Sequence, residues 1–306
     1  MKYRRFGKTE WQVSEIGLGG AWFYGRPEEG ALPPDHGIGV VHRALELGVN
    51  YFDTAPLYGR GRSEEIMGLA LRDVDQPHFL ATKVGYYPEP FDYTRDTVWR
   101  GFEASLKRLG RDRVDLLQIH ESEIAGWDRI FGPGMTLLAL EEIQAQGLTT
   151  HIGITGADLD LMARAVATGA FASVITYLRY DMLVTDALDQ LAPAAAEHDV
   201  ALILASPLHA GLLGSKRDDW IRAGRFADLY ERLDALESML ADHPSPIEEV
   251  GLRFLLDDPG VGTVLTGVRD IPELERSCAT SEACPLDAEL RARILSLSRS
   301  GKGVPL

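Results

Sequence analysis

The chain of 306 residues predicts an α/β fold, a closed parallel (β/α)8 barrel of the TIM type. Three observations carry that prediction. Short β-prone apolar runs alternate with amphipathic helical stretches eight times along the sequence, and eight is the count a closed barrel needs. The glycine-rich dinucleotide fingerprint that opens many doubly wound sheets is missing from the first strand-to-helix turn. The length also suits a barrel, which takes roughly 250 residues plus insertions. No linker rich in Pro, Gly or Ser and no shift of composition interrupts the pattern, so residues 1–306 read as one domain.

Taken in order, Tyr3 to Leu18 reads as a short hairpin with Gly7-Lys8-Thr9 at its turn. Barrel strands are expected at Ile16–Gly20, Asn50–Asp53, Phe79–Lys83, Asp115–His120, His151–Thr155, Ser173–Thr176, Ala201–Ser206 and Gly262–Thr266. Helices are expected at His36–Leu47, Ser63–Leu71, Arg95–Leu109, Leu137–Gln146, Asp158–Thr168, Asp186–His198, Pro246–Leu256 and Pro272–Cys278. Gly48, Gly110, Gly147 and Gly169 follow helical runs as C-caps, and Ser63 and Asp158 stand where N-caps belong. Glu121–Thr136 and Leu208–Asp242 read as longer loops, which in a barrel of this kind shape the mouth.

Composition narrows the function classes. Hydrophobic residues make up 45% of the chain, enough for a large core. The net charge of -15, from 46 acidic and 31 basic residues, repels a polyanion, so no nucleic-acid partner is expected. Its ordinary meaning is a well-solvated surface. Cys278 and Cys284 have no His/Cys cluster at metal-ligand spacing around them, so no metal site and no disulfide framework is expected. That usage fits a reducing, cytoplasmic setting. The polar, basic N-terminus does not resemble a signal peptide, and no apolar run is long enough to cross a bilayer. The oligomeric state stays open.

The chemistry of a parallel barrel gathers at the C-terminal ends of its strands. Asp53 ends the second strand, Lys83 the third and His120 the fourth, and Tyr58 lies on the loop just past Asp53. Each has an ordinary reading alone: a turn former, a solvated edge charge, a satisfied core group, a loop ring. Four proton-carrying groups at matching ends of three consecutive strands are a constellation that accident does not readily supply. Together they make a tuned acid/base. A tyrosine hydroxyl ionises near pH ~10, a nearby ammonium favours the phenolate, and a carboxylate keeps a buried ammonium charged. His120 then orients a substrate oxygen. No side chain donates a hydride, so a cofactor must.

The segment Leu47-Gly48-Val49-Asn50-Tyr51-Phe52-Asp53-Thr54-Ala55-Pro56-Leu57-Tyr58-Gly59, continuing to Ser63-Glu64 and Gly68, resembles the signature of the aldo-keto reductases. So do Ala81-Thr82-Lys83-Val84-Gly85 and Arg113-Val114-Asp115-Leu116-Leu117-Gln118-Ile119-His120, and the resemblance runs over nearly the whole chain. It implies an extended nicotinamide cofactor, Tyr58 as general acid/base, and Asp53, Lys83 and His120 as its supports. It further implies cofactor contacts at Gly20, Ala21 and Trp22 after the first strand, at Asp53, and at Thr155, Gly156 and Thr176. Ser206, Leu208 and Gly211 resemble the family's loop around the pyrophosphate, and Gly267, Arg269, Glu273 and Ser277 its adenosine end.

Three positions depart from the common family pattern. Thr155-Gly156 replaces a frequent Ser-Asn, Thr176 a frequent Gln, and Ala205 a frequent aromatic that stacks on nicotinamide. Tyr177 or Tyr180 is available as a replacement ring, although barrel packing is the expected role of both. These departures, with Trp220, resemble the sugar-dehydrogenase branch that contains the L-galactose and L-fucose dehydrogenases, which implies oxidation of the C1 hydroxyl of a free aldose to its lactone. Glu273 takes the place of a basic residue found in NADP-specific members, which favours NAD, with NADP also usable through Arg269. Substrate contacts are expected from Tyr58 and His120 and from rings near the mouth, Trp22, Tyr86 and Trp127, with Tyr24 and Tyr87 beside them. Glu121 follows His120 with no evident partner carboxylate, which speaks against glycoside hydrolysis. The competing readings are a broad NADPH-dependent aldehyde/ketone reductase, a non-catalytic cofactor-binding regulatory subunit, and a phosphate-handling barrel enzyme of another family. The last does not account for the four-residue constellation.

Overall fold

The computed structural model describes residues 1–22, 32–87 and 91–299. Tyr3–Arg5 (β1) pairs antiparallel with Gln12–Ser14 (β2) across a 3-10 turn at Gly7–Thr9. Eight parallel strands then close on themselves: Ile16–Gly19 (β3), Tyr51–Asp53 (β4), Phe79–Val84 (β5), Val114–Ile119 (β6), Thr149–Thr155 (β7), Ser173–Tyr177 (β8), Ala201–Ala205 (β9) and Val261–Gly267 (β10). The ring shuts where β10 pairs with both β9 and β3. The expected hairpin and barrel are both present.

The outer helices are Pro34–Glu46 (α1), Arg62–Leu71 (α2), Arg95–Leu109 (α3), Ser122–Ala125 (α4), Trp127–Phe131 (α5), Thr136–Ala145 (α6), Leu159–Ala167 (α7), Ala187–Glu197 (α8), Arg217–Arg222 (α9), Tyr230–Leu240 (α10), Ile247–Leu256 (α11), Ile271–Ala279 (α12) and Ala288–Ser298 (α13). The eight expected helices are all found, with ends moved by a residue or two. Two corrections concern the stretches read as loops. Glu121–Thr136 carries α4 and α5, and Leu208–Asp242 carries α9 and α10. In α10, Leu233, Leu236 and Leu240 fall at helical spacing and are all buried, which supplies the reason. Helix α13, capped by the Asp287 carboxylate on the amides of Glu289 and Leu290, was not expected.

Gly48, Gly110, Gly147 and Gly169 all have positive φ at the helix ends where they were placed. Asp158 caps α7 by accepting from Leu161 N–H. Ser63 does not cap α2; its hydroxyl donates to the Gly20 carbonyl instead, 2.7 Å away, and so ties the loop after β3 to that helix.

Two apolar clusters result from the strand alternation. Outward residues such as Phe52, Leu117 and Ile154 pack under the helices. Inward residues at the lower ends of the strands, Tyr51, Ala81, Leu116, Ile175, Ile203 and Leu265, pack with Phe6 and Val13 of the hairpin, which closes the barrel floor. Gly17 is needed there, because a Cβ would stand 2.9 Å from the Leu265 side chain and 3.0 Å from the Tyr51 ring. Two residues up from Tyr51, the same alternation turns Asp53 into the barrel. One face of a three-residue strand thus supplies both floor and chemistry.

Among the described residues no helix is long and apolar enough to cross a membrane, and no His/Cys/Asp/Glu group is arranged to hold a metal.

Candidate active site

Asp53, Lys83 and His120 stand at the upper ends of β4, β5 and β6, and all are buried, with 2%, 2% and 3% of their surface exposed. Lys83 Nζ donates to Asp53 Oδ1, to the Thr54 carbonyl at 3.0 Å and to Tyr58 Oη at 3.3 Å. The three ammonium hydrogens thus have three acceptors. Gln118, two residues before His120 on the same strand face, donates to the other Asp53 oxygen at 2.8 Å. That residue was not singled out from the sequence, although an amide within a buried apolar strand is itself a signal, since buried polar groups need partners.

Electrostatics follow from this packing. Burial works to lower the Lys83 pKa, but Asp53 and then Tyr58 more than offset it, so the ammonium stays charged. For Tyr58 burial is the largest influence and raises the pKa; Lys83 pulls it down, and the balance lies above the ordinary value. The expected lowering by lysine is present but smaller than burial. His120 is held well below its usual range by burial and by Lys83, so the ring is neutral. The Tyr58 and Tyr86 rings meet His120 edge-on, with centroids 5.7 Å and 5.5 Å away.

Other rings divide. Trp22 is 41% exposed at the rim. It lies across the end of β10, where a Cβ on Gly267 would fall 2.7 Å from its ring. Trp127 stacks between Phe131 and the Arg164 guanidinium, away from the four groups above in its ring contacts. Tyr87 packs against α3 at Gly101. Tyr24 lies outside the described residues. Tyr180 packs on Phe254 and donates to Asp258.

Tyr177 is registered beside Ala205 on the neighbouring strand. Its hydroxyl reaches Glu121 and, at 2.8 Å, Glu123. Glu121 therefore has a carboxyl neighbour after all, the first of whose contacts is a shared tyrosine. Both carboxyls are engaged by that one hydroxyl.

A cleft of about 1020 Å³ opens at the opposite end of the barrel, lined by residues such as Arg4, Arg5, Asp199 and Arg253. Arg4 and Arg5 are already paired with Glu15 and Asp199, and nothing at that end matches the proton-carrying group at the mouth.

The aldo/keto reductase family model matches residues 15–299. The chain belongs to the aldo-keto reductase family. It is thus an NAD(P)-dependent oxidoreductase. An L-galactose dehydrogenase of Arabidopsis thaliana is 31% identical over 91% of this chain and 88% of its own. A D-threo-aldose 1-dehydrogenase of a Pseudomonas species is 29% identical over 78% and 80%. The holo form of an aldo-keto reductase from Bacillus halodurans superposes with a TM-score of 0.83 at 28% identity, covering 98% of this chain and 97% of that one.

This aldo-keto reductase offers a nicotinamide dinucleotide a fitting surface around the rest of the mouth. The expected contact at Thr176 is not supported: it registers with outward-facing Leu204 and shares the face of Val174, so its buried hydroxyl points under the helices, and Tyr177 is the inward residue at the end of β8. Thr155 Oγ1 accepts from Glu121 N–H. A Cβ on Gly156 would meet the Glu123 and Ser122 side-chain oxygens at 2.4 Å, so a larger residue there would have to displace them. The Gly20 amide donates to the Asp53 carbonyl, and Ala21 follows it, half-buried.

The loop after β9 has left-handed backbone at Ser206, His209, Ala210 and Gly211, a conformation costly for residues with a Cβ. Leu208 turns its side chain toward Gly251 of α11. The loop is held from below by a pair that sequence reading missed. His209 Nδ1 lies 2.7 Å from Asp181 Oδ2, and both residues are fully buried. Asp181 Oδ1 in turn accepts from Leu183 and Val184 N–H. At the start of α12, Arg269 donates to Glu273 from its backbone and its guanidinium. Asp270 caps α12, and Ser277 bonds back to the Glu273 carbonyl one turn along.

Proposed function

We propose that the protein is an NAD-linked sugar 1-dehydrogenase, which oxidises the C1 hydroxyl of a free aldose of the L-galactose or L-fucose type to its lactone. The observation that carries the chemistry is the buried contact of Lys83 Nζ, ion-paired with Asp53, against Tyr58 Oη at 3.3 Å beside a neutral His120. The sugar assignment is supported by the names of the relatives at 31% and 29% identity.

In this reading the C1 hydroxyl sits between Tyr58 Oη and His120. His120, neutral, donates an N–H to the sugar oxygen and fixes which face of C1 is presented. Lys83 stabilises the Tyr58 phenolate, which takes the hydroxyl proton as general base, and Asp53 and Gln118 keep Lys83 in place. The chemistry the dinucleotide supplies when bound is acceptance of the hydride that leaves C1. The C1–O single bond becomes the lactone carbonyl, so proton and electron pair are both accounted for. In the reverse direction Tyr58 returns the proton. Trp22 and Tyr86 present aromatic faces to the sugar's C–H groups.

The residues proposed to hold the cofactor are Trp22 near the nicotinamide, Ser206 and Gly211 at the pyrophosphate, and Arg269 and Glu273 at the adenosine. A 2′-phosphate would have to draw Arg269 from Glu273 and leave that carboxylate facing the phosphate, which favours NAD. Initial rates of NAD and NADP reduction across a panel of free aldoses including L-galactose and L-fucose test the proposal. NAD-linked oxidation of one of them is the expected result. Silence across the panel with NADPH-linked aldehyde reduction would replace it with the carbonyl-reductase reading.

A further inference from the structure

Glu121 joins three groups at the mouth. Its backbone is left-handed, φ 52, immediately after His120. Its Oε2 meets the Tyr177 hydroxyl, which also lies 2.8 Å from Glu123 Oε1. A phenol has one proton, so it can donate to only one of two carboxylates. Both contacts are hydrogen bonds only when one carboxyl carries a proton and donates back to the phenol oxygen. Glu123 Oε1 also accepts Ala157 N–H at 3.0 Å. With one phenol proton between two carboxylates, the crowding of negative charge is relieved when Glu121 binds a proton.

The other Glu121 oxygen, Oε1, lies 3.7 Å from His120 Nε2, beyond hydrogen-bond distance. His120 Nδ1 is closed off from solvent and has no partner. In most proteins the tautomer of a neutral histidine is fixed by the hydrogen bond its second nitrogen makes; here that side contributes nothing. We propose that Glu121 is a positioning residue that sets the tautomer of His120. When ionised it draws the ring proton to Nε2, the nitrogen that can meet the substrate oxygen. When protonated it releases that preference. The inference rests on the His120 role proposed above.

Other titratable groups faced by Glu121 do not compete in the same range. Lys83 and Tyr58 are displaced upward and His120 well downward. Tyr93, whose hydroxyl donates to the backbone carbonyls of His120 and Glu121, and Tyr177 are both raised by burial. Burial lifts Glu121 most, the Tyr177 hydroxyl pulls it down next, and Glu123 raises it again, to about 7.

The test is the pH dependence of kcat/KM for NADH- and NADPH-linked reduction of DL-glyceraldehyde, the direction in which Tyr58 acts protonated. Wild type is expected to fall about threefold to tenfold to a lower plateau as the pH drops through about 7. Glu121→Gln, permanently uncharged, is expected to stay flat at the lower plateau. Tyr177→Phe removes the hydroxyl that holds Glu121 down, so its inflection moves to higher pH, and this variant decides the matter if Glu121→Gln fails to fold. A wild-type inflection that persists unmoved in either variant overturns the proposal. His120→Ala, run in parallel, is expected to lose about a hundredfold or more. Full activity there overturns the His120 role and this inference together, whereas an inactive His120→Ala with an unmoved inflection in Glu121→Gln overturns this inference alone.

Discussion

Replacing Lys83 by Met tests the acid/base group at its centre. The substitution keeps the apolar stem and removes one positive charge from a pocket where Lys83 is 2% exposed. An ammonium 3.3 Å from a phenolate oxygen, at an effective dielectric of about 20, is worth ~5 kcal/mol to the phenolate. Asp53 repels the same phenolate and takes back part of this. If half survives, ~2.5 kcal/mol remains, almost two pKa units. The Tyr58 pKa, already above its usual value through burial, then rises further. Oxidation at neutral pH should slow by about a hundredfold or more, and the loss should shrink as the pH is raised.

The same variant leaves Asp53 buried with only the Gln118 amide beside it. Breaking a buried pair in this way costs roughly 3–5 kcal/mol of stability, so an activity loss could reflect unfolding. The double variant Asp53→Asn/Lys83→Met removes both charges and should recover most of the stability but none of the rate. The assay is kcat against pH for both variants, with denaturant midpoints measured alongside. A folded Lys83→Met enzyme within tenfold of wild-type kcat at pH 7 would refute the reasoning.

Tyr58→Phe should abolish turnover while cofactor affinity, followed by fluorescence titration, stays nearly unchanged; equal activity would remove Tyr58 from its role. Glu273→Ala removes the carboxylate beside Arg269 and should raise NADP use relative to NAD, measured as the ratio of kcat/KM values, and an unchanged ratio would show that this pair does not read the adenosine ribose. Asp181→Asn breaks the buried contact with His209 and should lower stability by about 3 kcal/mol in urea unfolding, with a higher KM for the cofactor because the loop after β9 loses its support. An unmoved urea midpoint would mean that the left-handed backbone of that loop is held by other contacts.

What the sequence made legible was whatever has a local period. Strand alternation is two residues long, so Tyr51-Phe52-Asp53 shows at a glance which side chains enter the barrel. Helix caps are equally local, which is why Gly110 and Asp158 stand where expected. Ser63 misled because its hydroxyl has a better partner 43 residues away, the Gly20 carbonyl. Helices α9, α10 and α13 went unseen for a different reason. A reading that counts strand-helix units has no slot for extra helices, although Leu233, Leu236 and Leu240 carry the spacing plainly enough.

Contacts between distant residues were not legible at all, and these are what individualise the site. Nothing local in Asp181 or His209 announces that they meet, nor in Glu121 and Tyr177, 56 residues apart. The catalytic candidates escape this rule because a barrel brings equivalent strand ends together whatever the intervening sequence. Topology alone places Asp53, Lys83 and His120 side by side. The Glu121–Tyr177–Glu123 cluster depends on the segment after β6 meeting the end of β8 at one hydroxyl, which no topology rule supplies. The consequence is a division of labour within the mouth. Groups on strand ends set what kind of reaction the barrel performs, and groups on the loops above them set the pH at which it runs and the ligand it admits. A substitution at Lys83 should therefore cost most of the rate at neutral pH, and one at Glu121 should move or remove the inflection near pH 7.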